Sequence, residues 1–324
     1  MSEIAEYPRI GLRRADFPVS EFSVSLTLCL ITVTGVTAAL SNAPARTEEL
    51  ALPLFLLGAA AMFGLALADI ARRRELRYAR TLILVGILWS LSALTASREP
   101  ITYSIGHVSQ WLVDLAVAYL LLSYPSTRLR RGPERMLFIA GALLVGLLFL
   151  PTALAGQYPH PSLWSTCTTQ CPTNAFSLTA STPAVIANVI VPLREVLAVA
   201  VFAAITLITT RRTQQADPQL RPLHAPVAVF AALQMLIFAV YFPLRAAAPG
   251  SDTLSVVSWM FVLSLPAVGL ACGSGWLYRR LHAATVLERM ATTLRVGASP
   301  GEVSSALATA LHDPSLQVLH SFPG

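Results

Sequence analysis

Four residues with polar or aromatic side chains lie at helical spacing inside an apolar run. His107, Gln110, Trp111 and Asp114 follow one another at intervals of three, one and three residues, which places them along one face of a helix. A carboxyl group in hydrocarbon is strongly disfavoured, so Asp114 must be either protonated or paired. Two interpretations stay open: a sensing pocket or proton site, and hydrogen bonding between helices that fixes their packing.

A second group of charged residues, Arg194 and Glu195, follows Pro192 in another apolar run. Adjacent residues on a helix point about 100° apart, so these two need not pair with each other. An unpaired arginine in a membrane span costs about 2.5–3.5 kcal/mol on insertion scales, and Asp114 is its expected partner. Either a structural ion pair or a ligand or ion site fits. The sequence thus predicts an intramembrane polar site of His107, Asp114, Arg194 and Glu195.

Two of the four cysteines, Cys167 and Cys171, lie in the long loop 156–183. Cysteines four residues apart on a loop can reach disulfide distance, and we expect them to form a disulfide. A metal site with His160 and a redox-sensing pair are the alternatives, but zinc takes four ligands and this loop offers three at most. We predict no metal site, and no nucleophile–base set at workable spacing, so no catalytic residue is assigned.

The composition of the chain predicts the membrane-spanning helices that position these residues. The chain has 324 residues, of which 55% are apolar and 12% charged, whereas a soluble domain carries about 25% charged residues. The apolar residues form runs long enough to cross a bilayer as helices. Eight spans are predicted, at 22–42, 49–70, 81–97, 105–123, 136–155, 184–209, 226–244 and 254–277. The predicted fold class is an all-α polytopic membrane bundle, which excludes an ordinary soluble enzyme.

The basic residues predict the topology. All 23 are arginine, and nineteen of those 23 fall in the N-terminal tail, in three alternate loops (71–80, 124–135 and 211–225) and after the last span. The opposite loops hold one each, Arg46, Arg98 and Arg245. Because cytoplasmic loops retain positive charge, both termini are predicted to be cytoplasmic. The net charge of +6 is therefore a topology signal, and the predicted partner is the lipid bilayer rather than nucleic acid.

A narrow apolar stripe continues after the last span. Apolar residues at 277, 281, 284, 287, 290 and 294 are spaced by three or four, which is typical of a helix with a coiled-coil seam. We predict a cytoplasmic linker helix over 279–298 that joins two copies in a homodimer. Docking of an amphipathic helix on the membrane surface is the alternative. A capped helix and a short strand from Leu316 are predicted next.

The last part of the chain resembles a known family. The run Ala308-Thr-Ala-Leu-His-Asp-Pro-Ser-Leu-Gln-Val318 resembles the linker that opens the cytoplasmic GAF-like region of actinobacterial membrane sensor histidine kinases. Cys171-Pro-Thr-Asn174 and Leu122-Ser-Tyr-Pro-Ser126 are similar to that family's multi-span sensor. The expected domains are a cytoplasmic tail (1–21), an eight-span sensor domain (22–278), the linker helix (279–298) and the truncated start of a GAF-like α+β domain (299–324).

The resemblance implies the membrane sensor region of a two-component histidine kinase, which relays a signal to a kinase core and a response regulator. That core would use ATP with magnesium, but neither a phospho-acceptor helix nor an ATP-binding domain occurs up to Gly324. His312 is not an expected phospho-acceptor, because Pro314 ends its helix. No cofactor is predicted for the chain itself, and whether it belongs to an enzyme stays open. The alternative, based on the intramembrane polar residues, is a small-molecule or proton-coupled transporter.

Overall fold

The structure, a computed structural model, describes ten ranges of the chain. They are residues 19–42, 51–71, 76–124, 128–129, 132–159, 162–163, 171–179, 181–216, 221–264 and 267–268. Within these ranges the chain forms helices and connecting loops. The predicted linker helix 279–298 and the predicted GAF-like start 299–324 lie outside the described residues, as do Cys167 and His160.

The described residues form nine α-helices. They are α1 (Val19–Asn42), α2 (Ala51–Ala71), α3 (Leu76–Ser92), α4 (Pro100–Ser123), α5 (Pro133–Leu144), α6 (Leu150–Ala155), α7 (Val191–Gln215), α8 (Arg221–Ala247) and α9 (Asp252–Ser264). A π-helical turn, Val145–Phe149, makes α5 and α6 continuous, and a second one, Ile186–Ile190, precedes α7. A 3₁₀ turn, Ala93–Ala96, follows α3.

Six helical segments among the described residues are long and apolar enough to cross a membrane. They are Glu21–Leu40, Arg77–Ala96, Pro100–Ser123, Pro133–Ala155, Ile186–Gln215 and His224–Ala247. The predicted second and eighth spans are represented by shorter apolar helical stretches, Gly58–Ala68 and Asp252–Ser264. The all-helical class is confirmed for the described residues, whereas the number of eight spans stays a prediction.

Two prolines explain the irregular turns. Pro151 and Pro192 each lie two residues after a π turn. A proline has no N–H to donate, and its ring clashes with the carbonyl four residues earlier, which here lies within the π turn. The wider turn accommodates the ring without ending the helix. Both turns come just before the segments that carry Thr152 and Arg194.

Close backbone contact fixes α4 against the turn after α3. A Cβ atom added to Gly106 would lie 2.4 Å from the backbone nitrogen of Thr95, and backbone cannot move aside as a side chain can. Deeper in the bundle α4 packs against α3, α5 and α7. Val113, Val117 and Leu120 on α4 are each 0% exposed. The helix that carries His107 and Asp114 is therefore held at the centre of the bundle.

At one end of the bundle, Arg212 connects α7 to α5 and to the C-terminal end of α4. Arg212, in the last turn of α7, forms an ion pair with Glu134, with its Nε 3.2 Å from Oε1. Its Nη1 donates to the carbonyl oxygens of Leu122 at 2.8 Å and Tyr124 at 3.1 Å. We call these four residues the Arg212 clamp. The clamp brings the arginine-rich segments 124–135 and 211–225 to the same end of the bundle, while their side of the membrane stays a prediction.

We expect Gly106→Ala to destabilise the protein, because the new methyl group meets the backbone of Thr95. Overpacking of this kind typically costs about 1–3 kcal/mol. The matched control is Gly35→Ala in α1, where nothing lies within 4 Å of the added atom. Thermal unfolding in detergent, followed by tryptophan fluorescence, should show a lower midpoint for Gly106→Ala only. Equal midpoints for the two variants would contradict the close contact.

Candidate binding site in the helix bundle

A cavity of about 100 Å³ lies between α4, α5, α7 and α8. The four residues predicted as an intramembrane polar site, His107, Asp114, Arg194 and Glu195, all line it. Further lining residues include Gln110, Trp111, Phe149, Tyr241, Phe242 and Arg245. The structure thus brings the predicted residues together around one space, and it adds Arg245, which sequence analysis had placed in a loop.

Glu195 and Arg245 form an ion pair across α7 and α8. Their side chains are 11% and 14% exposed. The Arg245 guanidinium also lies 5.9 Å from the ring centre of Tyr241. The predicted seventh span, 226–244, stops three residues before α8 ends at Ala247 and so leaves out Arg245. The buried carboxylate of Glu195, which needs a cation, was the signal that could have identified Arg245.

Arg194 is buried, with 3% of its surface exposed. Its Nη1 donates to the hydroxyl oxygen of Thr152. The guanidinium carbon lies 4.5 Å from the ring centre of Phe149 and 5.4 Å from that of Trp111, distances at which a cation is attracted to an aromatic face. The Nε atom is covered and has no hydrogen-bond partner. This cation is therefore held by a hydroxyl and two rings, with no carboxylate in contact.

The expected ion pair between Asp114 and Arg194 does not form. Asp114 Oδ1 is covered and has no hydrogen-bond partner, and the ion pairs among the described residues join Arg80 to Glu21, Arg212 to Glu134 and Arg245 to Glu195. The pair does not form because the Arg194 guanidinium lies against Thr152 and the aromatic rings of Phe149 and Trp111. Gln110, one turn before Asp114, likewise has a covered and unpartnered Nε2.

Aromatic packing surrounds His107 beside the cavity. His107 is 2% exposed and stacks on Tyr158, with ring centres 4.4 Å apart and planes 8° apart. Tyr103 meets His107 edge-on at 4.5 Å. Burial raises the pKa of Tyr158 to about 12, against a smaller lowering by Ser104, so the phenol stays neutral at physiological pH. His107 is thus a packed member of the cavity wall.

Asn174 ties the loop to the bundle and is 5% exposed. Its Nδ2 donates to the carbonyl oxygen of Gly156 at 2.7 Å, and its backbone N–H donates to Gln157 Oε1 at 2.7 Å. Its Oδ1 accepts from Ser104 Oγ of α4 at 3.3 Å. The loop is therefore fixed to both α4 and the end of α6. Sequence analysis had noted Asn174 only as part of the family resemblance.

The predicted disulfide falls at the edge of the described residues. Cys171 is described and half-buried, whereas Cys167 lies outside, so the pairing stays a prediction. Cys29, in α1, is a free and buried cysteine. Among the described residues no three His, Cys, Asp or Glu side chains lie close enough to hold a metal ion. The described side chains around the cavity supply charged and hydrogen-bonding groups that suit the binding of a ligand.

Comparison of the chain with protein-family models, with curated proteins and with solved structures finds no match.

We expect Glu195→Gln to destabilise the protein more than the equivalent change in an exposed pair. Removing one partner of a buried pair leaves an uncompensated charge and costs about 3–5 kcal/mol. The matched control is Glu21→Gln, because the side chains of Arg80 and Glu21 are 64% and 34% exposed and such pairs contribute about 0–1 kcal/mol.

Thermal unfolding midpoints in detergent measure the difference. The double variant Glu195→Gln with Arg245→Gln should recover part of the loss, because it removes both charges. If Glu195→Gln and Glu21→Gln lower the midpoint equally, the buried ion pair contributes nothing beyond a surface one.

Proposed function

We propose that this chain is the membrane-embedded sensor region of a two-component histidine kinase and that its signal is a small molecule bound in the cavity. In this proposal the chain is a multi-pass protein of the bacterial plasma membrane with both termini in the cytoplasm. A homodimer relays the signal through the predicted linker helix 279–298 to a kinase core, which acts on a response regulator. The six apolar helices support the membrane location by their length and composition.

The observation that carries the proposal is a binding cavity that ends within the bundle. On α4 and α7, the lining residues furthest along each helix towards the Arg212 clamp are Ala118 and Phe202. Beyond them Leu121 and Ile205 are 1% and 0% exposed, and the Arg212 clamp joins the helix ends. A cavity that ends within the bundle suits the binding of a molecule better than its transport across the membrane.

The kinase part of the proposal is supported by the sequence resemblance in the C-terminal run 308–318 and by the apolar stripe before it. A coiled-coil seam that continues from a membrane helix can pass a displacement to an attached output domain. Neither element lies within the described residues, so this part of the proposal depends on sequence.

A small-molecule or proton-coupled transporter is the second candidate. The observation in its favour is the placement of Asp114, Arg194, Glu195 and Arg245 around one cavity inside apolar helices, since ionisable residues within spans often mark substrate or proton pathways. Transport would require the cavity to open at the opposite end as well, and the Arg212 clamp would then have to break.

The first test reads the open frame downstream of the Gly324 codon. We expect a phospho-acceptor helix and an ATP-binding domain, and the product of that frame in proteoliposomes should transfer phosphate from ATP to its histidine. Replacing that histidine with glutamine should abolish labelling. A stop codon directly after Gly324 would leave the kinase proposal without an output.

Flux measurements on the same proteoliposomes address the second candidate. Proton flux, followed with an enclosed pH-sensitive dye, should stay at the level of protein-free liposomes if the chain is a sensor. Flux above that level that disappears in Asp114→Asn or Arg194→Ala would establish transport instead.

We also propose that Cys167 and Cys171 form a disulfide that shapes the loop over the cavity. In a Cys29→Ser and Cys272→Ser background, a maleimide reagent should label the denatured chain at two sites after reduction and at none before. The control Cys171→Ser should be labelled once without reduction. Labelling of both thiols in the unreduced chain would exclude the disulfide.

A further inference from the structure

We propose that the cavity binds a small zwitterion of the amino-acid class, with its carboxylate on Arg194 and its ammonium group on Asp114. This inference rests on the proposed function in one respect, namely that the bound molecule is the signal. The chemical class of that molecule is inferred from Arg194 and Asp114, which line the cavity without an ion partner among the described residues.

Two ionisable side chains of opposite type, Arg194 and Asp114, face the cavity without an ion partner among the described residues. Glu195 and Arg245 pair with each other. Arg194 and Asp114 line the same cavity but do not contact each other, and each has a covered polar atom with no hydrogen-bond partner, Nε and Oδ1 respectively. A bound ammonium group would favour the ionised form of Asp114, and a bound carboxylate would pair with Arg194. A single occupant can supply both partners.

Arg194 is suited to receive the carboxylate. A guanidinium has five N–H donors in a planar fork that matches a carboxylate, and the protein uses one nitrogen, Nη1, for Thr152. The side chain is 3% exposed, and the rings of Phe149 and Trp111 hold the guanidinium plane. The donor is thus buried and oriented before a ligand arrives, which lowers the entropic cost of binding.

Asp114 is suited to receive the ammonium group, because its covered Oδ1 is an acceptor without a donor. Gln110, 4% exposed, lies one turn away with a covered and unpartnered amide nitrogen, which is a further donor for the ligand carboxylate. A simple anion would leave Asp114 Oδ1 without a hydrogen-bond donor, and a simple cation would leave Arg194 without a counter-charge. A molecule that carries both charges satisfies both residues.

The size of the cavity limits the ligand. Its volume of about 100 Å³ is several times the roughly 10–15 Å³ that one water molecule needs. Most of the remaining lining residues are apolar or aromatic, with Phe149, Phe202 and Phe242 among them. Small amino acids with a hydrogen, methyl, hydroxymethyl or isopropyl side chain are therefore the expected ligands.

The experiment measures binding to the full chain in nanodiscs by isothermal titration calorimetry. The probes are glycine, L-alanine, L-serine and L-valine. Each amino acid is compared with the acid that lacks its amino group and the amine that lacks its carboxylate; for L-alanine these are propionate and ethylamine. We expect at least one amino acid to bind, with both of its comparison compounds at least tenfold weaker.

Two variants assign the contacts. Arg194→Gln and Asp114→Asn should each weaken binding at least tenfold. Their matched controls, Arg80→Gln and Asp252→Asn, replace residues outside the cavity and should bind as the unaltered chain does. The comparison compounds are measured on the unaltered chain, so the inference stays testable even if a variant does not fold.

Several results would overturn the inference. They are no binding by any of the four amino acids, equal binding by propionate and L-alanine, and unchanged binding in both folded variants. The test is separate from that of the proposed function. Amino-acid binding without kinase output would support the zwitterion and count against the sensor, whereas kinase output without amino-acid binding would retain the sensor and exclude this ligand class.

Discussion

The arrangement of the bundle depends on how four ionisable side chains are accommodated among apolar helices. Glu195 and Arg245 satisfy each other across α7 and α8. Arg194 is held by Thr152 and two aromatic rings, and Asp114 faces the same cavity with an unpartnered oxygen. Charges in a low-dielectric interior are strongly disfavoured without partners. The unpartnered atoms of Asp114 and Arg194 are therefore the basis on which we propose ligand binding at this cavity.

Much of this site could be predicted from the sequence, since the rules involved are local. Residues three or four apart share a helix face, so the stripe from His107 to Asp114 followed from spacing. Long apolar runs indicated helices, and polar residues within them indicated a bundle interior. These arguments bring His107, Asp114, Arg194 and Glu195 together as candidates, and the structure places all four around one cavity.

Pairing and backbone irregularity could not be predicted in the same way. The partner of a buried charge depends on side-chain direction across helices, so Arg245 was missed and Asp114 was assigned to Arg194. The π turns before Arg194 and Thr152 change which residues share a helix face. Residue spacing in the sequence does not reveal this change. The contact of Gly106 with Thr95 likewise joins two elements whose approach is a tertiary property.

The two ends of the bundle are connected by the same two helices. α4 carries Asp114 at the cavity and ends at the carbonyl oxygens held by Arg212, while α7 carries Arg194 and, near its end, Arg212 itself. A ligand that draws Asp114 and Arg194 together would act on both helices at once. Packed helices can shift as rigid bodies between discrete arrangements. Because no irregular turn separates Arg194 from Arg212 within α7, such a displacement would reach the Arg212 clamp. The clamp is therefore the element whose two states would make the proposed sensor responsive.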